Sequence, residues 1–104
     1  MVKIVKVDIE NETFCIKDVP LGVGDLKSLT NEIGCKYFEF IQLSQEYGAF
    51  IDEEPFHLTK RSVVFEWSLK GCILIFHQDK SSTDEKYIDM TSEDLKIIQE
   101  NVHF

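Results

Sequence analysis

Nothing in this 104-residue sequence is long and apolar enough to span a bilayer; a spanning helix needs about 20 such residues. Basic residues are scarce. Eleven Lys and Arg stand against 19 Asp and Glu, a net charge of −8, which argues against direct binding to nucleic acid or to an anionic membrane. Cysteine is scarce and odd in number: Cys15, Cys35 and Cys72 form no CxxC pair, so no disulfide framework is expected. Each lies in or beside an apolar run, and the expectation is three buried, reduced thiols in a cytoplasmic protein. Lysines break up the N-terminal stretch Met1-Val2-Lys3-Ile4-Val5-Lys6, so a secretory leader is not expected.

What is present is enough for one core. Hydrophobic residues make up 43%, including eight Phe, three Tyr and one Trp, too many for a disordered chain. Length and continuity predict a single domain over 1–104.

Val5, Val7 and Ile9 alternate with Lys6, Asp8 and Glu10, the pattern of a half-buried strand, and Thr13 to Val19 follows as its hairpin partner. Pro20 to Gly24 reads as a turn. Leu26, Leu29 and Ile33 share a helical face over 25–33, ended by Gly34. Tyr37–Leu43 and Tyr47–Asp52 predict a second hairpin. Residues 56–61 read as a loop, and alternation at Val63, Phe65 and Trp67 reads as one strand, while one helical turn fits the same stretch. The run Cys72-Ile73-Leu74-Ile75-Phe76 predicts a central strand buried on both faces. A polar loop over 78–86 and a short strand over 87–90 follow. Thr91 with Asp94 three residues on resembles a capping box for a helix carrying Leu95, Ile98 and Val102. The fold class is therefore α+β: a mostly antiparallel sheet of five to six strands with two short helices packed on one face. The expected core is Val5, Val7, Phe14, Ile16, Leu26, Leu29, Ile33, Phe38, Phe40, Ile73, Ile75, Leu95 and Ile98.

No residue set matches a catalytic or metal motif. His57, His77 and His103 are scattered and form no close ligand pair with the cysteines. Cys35 follows a helix end, where the dipole does not favour a thiolate. Gly22-Val23-Gly24 lacks the further Gly or Lys-Ser/Thr of a phosphate loop, and Asp25 would repel phosphate there. No metal, cofactor or catalytic residue is expected. The alternative is a small-ligand site or small enzyme at His77 and Asp79 under the 78–86 loop, at the end of the predicted central strand.

Charge is unevenly spread. Residues 55–78 carry one acid, Glu66, against Lys60, Arg61 and Lys70, and acids dominate on both sides. Two binding surfaces follow. One is acidic: Asp52, Glu53 and Glu54 with Asp84, Glu85 and Asp89. The other joins Phe56, Arg61 and Trp67, since Trp and Arg are enriched at interface hot spots.

Five stretches resemble a family of small uncharacterised proteins encoded on bacteriophages, plasmids and conjugative elements. They are Leu26-x-x-Leu29-x-x-x-Ile33-Gly34, Tyr37-Phe38-Glu39-Phe40-Ile41, Ala49-Phe50-Ile51-Asp52-Glu53-Glu54, Leu69-Lys70-Gly71-Cys72-Ile73-Leu74-Ile75 and Thr91-Ser92-Glu93-Asp94-Leu95. The resemblance implies an accessory protein of a mobile element in a bacterial cytoplasm, with no catalytic residues to transfer. The expected function is non-catalytic: an acidic inhibitor or adaptor, or a nucleic-acid mimic, binding a host protein with a basic face. An immunity protein or antitoxin uses the same acidic logic.

Overall fold

The computed structural model describes residues 2–19, 26–53, 60–79 and 86–104. Strand β1 (Val2–Asp8) turns back into β2 (Thr13–Val19), in register from Val2 opposite Val19 to Asp8 opposite Thr13. Asn11 closes the turn by donating from Nδ2 to Asp8 Oδ2 at 2.7 Å. Helix α1 (Leu26–Ile33) ends at Gly34, whose φ of +77° suits glycine, and the amides of Gly34 and Cys35 both donate to Thr30 O. Strands β3 (Phe38–Gln42) and β4 (Tyr47–Asp52) form the second hairpin.

Next come β5 (Ser62–Val64) and β6 (Trp67–Leu69), where a single strand was expected. Phe65 adopts φ +56° between them, a reversal that side-chain alternation does not reveal. Strand β7 (Cys72–Asp79), β8 (Lys86–Ile88), α2 (Ser92–Glu100) and β9 (Val102–His103) complete the described chain.

Five strands of the main sheet run in the order β2-β1-β7-β4-β3 with every pair antiparallel, and β8 pairs with the far end of β7. A second sheet has the order β6-β5-β9. The apolar run occupies the central strand, where Ile73, Leu74, Ile75 and Phe76 are at most 1% exposed. The α+β class and antiparallel sheet match the sequence reading.

The helices do not share a face. Leu29 and Ile33 of α1 pack with Ile4, Leu74 and Phe76, whereas Ile98 of α2 packs with Val5, Val7, Ile73 and Ile75. Successive strand residues point to opposite faces. Strands β1 and β7 are apolar at successive positions, so both faces of the sheet need a cover. Helix α1 supplies one; α2 with the small sheet supplies the other.

Expected core residues at the sheet edges also differ. Ile16 on β2 and Phe40 on β3 are exposed because each sits on an outermost strand. Phe14, Phe38 and Leu95 are half-buried, and the side chain of Leu26 lies outside the described set. The three cysteines are free, but only Cys35 and Cys72 are partly buried; Cys15, on the same edge strand as Ile16, is exposed. Gly48 serves close packing: a Cβ there would lie 2.7 Å from Phe76 Cζ and 2.8 Å from Phe40 Cε2.

Candidate functional site

Strand β3 is an edge strand, so half of its main-chain groups face outward. Glu53 N donates to Tyr37 O and Leu43 N to Tyr47 O, which places Phe38, Phe40 and Gln42 as the outward-facing residues. The β5–β6 hairpin reaches this edge. Trp67 donates its indole N–H to Gln42 O at 3.3 Å. The bond fixes the ring beside β3 yet leaves Trp67 43% exposed.

Around this ring lies a cleft of about 240 Å³ whose charged lining is Glu39, Asp52, Glu53, Arg61 and Lys70. Glu39 enters from β3, opposite Ile51 on β4. Asp52 ends β4 and Glu53 follows it; Arg61 precedes β5 and Lys70 follows β6. Three carboxylates and two cations therefore flank one indole. A second cleft of about 330 Å³ adjoins through Glu53 and is lined by Thr30, Lys36, Tyr37 and Phe38. Tyr37 is exposed there, with Lys36 Nζ 5.5 Å from its ring centroid.

The structure thus joins Asp52 and Glu53 to Arg61 and Trp67, residues assigned from sequence to two separate surfaces. It places Asp89 elsewhere. Asp89 Oδ1 accepts from Lys3 N at 2.8 Å beside β8, which pairs with the His77–Asp79 end of β7. Asp52 stands beyond the Phe50–Leu74 pair, toward the opposite end of β7. Several residues at about 3.3 Å each separate the two along the strand. Glu54, Phe56, Asp84 and Glu85 lie outside the described residues. Glu39, Lys70 and Tyr37 were not singled out from sequence. Exposed Tyr in an aromatic strand was a usable signal; the placement of Glu39 and Lys70 depends on strand register and hairpin docking.

At the other end of the sheet, His77 lies against Tyr47, ring centroids 5.2 Å apart. Its Nδ1 is 3.5 Å from Asp94 Oδ1 and, among the described residues, has no hydrogen-bond partner. Asp94 Oδ1 instead accepts from Tyr47 Oη at 2.6 Å, while Oδ2 accepts from Thr91 N at 2.9 Å and Thr91 Oγ1 at 3.0 Å. Thr91 Oγ1 accepts in turn from Asp94 N, completing the capping box of α2. Burial alone would raise the Asp94 carboxyl, but the bonds from Tyr47 and Thr91 outweigh it and hold it below the usual range. Burial first, and the Asp94 hydrogen bond second, raise the Tyr47 phenol far above its ordinary value. The cluster pins the start of α2 to β4. Neither of the two clefts is lined by His77. The side chain of Asp79 and residues 80–85 of the loop lie outside the described residues.

Two of the thiols, Cys35 and Cys72, are not tuned for reaction. Burial, then the nearby acids Asp52 and Asp8 respectively, raise those of Cys35 and Cys72, opposite to what a nucleophile requires. Among the described residues no group of three or more His, Cys, Asp and Glu is arranged to hold a metal ion, and no helix is long and apolar enough to cross a membrane. Compared with protein-family models, curated proteins and solved structures, the chain matches none.

Proposed function

We propose that the protein is a non-catalytic interaction domain that binds a protein partner in the groove between the β3–β4 edge and the β5–β6 hairpin. The observation that carries this reading is Trp67: a large aromatic side chain held by a hydrogen bond to the sheet edge, yet 43% exposed. An indole in this setting offers apolar contact area at little further cost in side-chain entropy, the property of an interface anchor. Glu39, Asp52 and Glu53 beside it suit cationic side chains of the partner, and Arg61 and Lys70 restrict which arrangements fit. The net charge of −8 favours a partner with a basic face through steered encounter. With the resemblance to mobile-element proteins, the proposed role is an inhibitor or adaptor of a host protein in a bacterial cytoplasm.

Affinity capture from bacterial lysate with the wild type and with Trp67→Ala tests this. One stoichiometric protein, retained by the wild type and lost from the folded variant, is expected. The same proteins recovered by both, or none by either at low and moderate salt, would overturn it.

A further inference from the structure

The sheet has a second edge, at β2, with a different character. Ile9 N donates to Gly71 O, continuing the β1–β7 ladder in which Val5 faces Ile75 and Val7 faces Ile73. Odd residues of β1 therefore bond to β7 and even residues to β2, because main-chain groups alternate sides along a strand. On β2 it follows that Thr13, Cys15 and Lys17 bond inward, while Phe14, Ile16 and Asp18 present their N–H and C=O groups outward. Among the described residues no strand pairs with them. The β3 edge is closed at one end, since Trp67 already occupies Gln42 O; among the described residues nothing comparable is seen at β2.

This open edge is apolar at two of its three outward-bonding residues, Phe14 and Ile16. Ile16 is 39% exposed, and Phe104, itself exposed, lies with its ring centroid 5.1 Å from that of Phe14. The edge is also locally balanced in charge within a strongly acidic chain. Asp18 is paired with Lys3, Glu32 with Lys17 and Lys6, and Glu12 with Lys60. A second copy meets less self-repulsion here than the net charge of −8 alone would impose.

We infer that β2 is a homodimerisation edge, pairing antiparallel with β2 of a second copy about a twofold axis at Cys15. In this register Phe14 of one copy faces Ile16 of the other, twice over. Each such pair exchanges both main-chain hydrogen bonds and forms an aromatic–β-branched contact of the kind that stabilises sheets. Cys15 faces its own counterpart at a non-hydrogen-bonded position. Thr13 faces Lys17, and at the ends Glu12 faces Asp18, each already neutralised by its own lysine. Centring the axis on Ile16 instead would oppose Phe14 to Asp18 and Cys15 to Lys17, which discards the apolar match. The twofold is isologous and closes at two copies. It leaves the Trp67 grooves free at the two outer edges, so one dimer presents two binding sites.

Cys15 supplies the test. Opposed residues at a non-hydrogen-bonded position have Cα atoms about 4.5 Å apart, within disulfide range. Sedimentation of the full chain up to about 1 mM, where a Kd of ~100 µM gives mostly dimer, is paired with mild copper–phenanthroline oxidation and peptide mapping. The oxidant removes two electrons and both thiol protons as the S–S bond forms. A dimer linked through Cys15 to Cys15 is expected, with the link absent in Cys15→Ser. Ile16→Lys, at an exposed edge position, should keep the native circular dichroism and raise the monomer–dimer midpoint at least tenfold. A monomer throughout, a dimer indifferent to Ile16→Lys, or a dimer whose cross-link bypasses Cys15 overturns the inference. Each of these outcomes leaves the groove reading standing, because Trp67 and β2 lie on opposite edges.

Discussion

Replacing Tyr47 with Phe removes one oxygen and little else. The ring keeps its packing against Phe65 and His77, at centroid distances of 5.9 and 5.2 Å. What disappears is the 2.6 Å hydrogen bond from the phenol to Asp94, in a setting where Tyr47 is 3% and Asp94 7% exposed. A hydrogen bond to a charged group contributes about 1.5–3 kcal/mol, and the upper half applies here because, among the described residues, Asp94 Oδ1 is left facing His77 Nδ1, which makes no hydrogen bond. Urea unfolding at pH 7 should show a loss of about 2–3 kcal/mol with an unchanged slope. The pH dependence carries a second signature. Asp94 has a depressed folded pKa, so its contribution is present above the unfolded value near ~3.9 and is lost as pH falls through the folded one. Tyr47 has a raised folded pKa, so its contribution is complete below ~10 and is lost as pH rises through the folded value. Tyr47→Phe should abolish the alkaline loss from this pair and shrink the acid one. A variant within ~0.5 kcal/mol of wild type, comparable to an ordinary surface change, would refute the claim that this bond ties α2 to the sheet.

Ile73→Ala, at a fully buried position of β7, should cost about 2–5 kcal/mol in the same assay; a loss below ~1 kcal/mol would contradict the central placement of that strand. Gly48→Ala should cost about 1–3 kcal/mol through overpacking, since Phe76 is 1% exposed and has little room to retreat from the new methyl group. A neutral result would show that the Phe40 and Phe76 rings move freely. Exchanging Asp52 and Glu53 for Asn and Gln should slow association with the captured partner several-fold, with less effect at high salt. Unchanged association rates would remove steering from the account.

Elements whose local chemistry agrees with their tertiary role were readable from sequence. The β1–β2 hairpin follows from the alternation of Val5, Val7 and Ile9 with charged residues before the polar Asn11-Glu12 break, and β7 from an uninterrupted apolar run. The start of α2 follows from Thr91 and Asp94, and the structure places both reciprocal cap bonds there. Elements defined by what lies across the sheet were not readable. Alternation at Phe14 and Ile16 marks a buried face, but only the strand order shows that β2 is outermost and that Ile16 is exposed. Val63, Phe65 and Trp67 alternate as one strand would, but the backbone reverses at Phe65. The groove is the extreme case. Glu39 meets Asp52, Arg61, Trp67 and Lys70 only through β3–β4 register and the docking of a short hairpin, and no spacing in the chain encodes that meeting.

If partners bind at Trp67, the protein carries its own reporter of the event, because Trp67 is its only tryptophan. The direct measurement is the emission spectrum of this indole during titration with the protein recovered by affinity capture, using a tryptophan-free form or segment of that partner. Burial of a ring now 43% exposed should shift the emission to shorter wavelength and saturate at the stoichiometry of binding. Saturable binding seen by calorimetry, with Trp67 emission unchanged, would place the interface elsewhere and contradict the account.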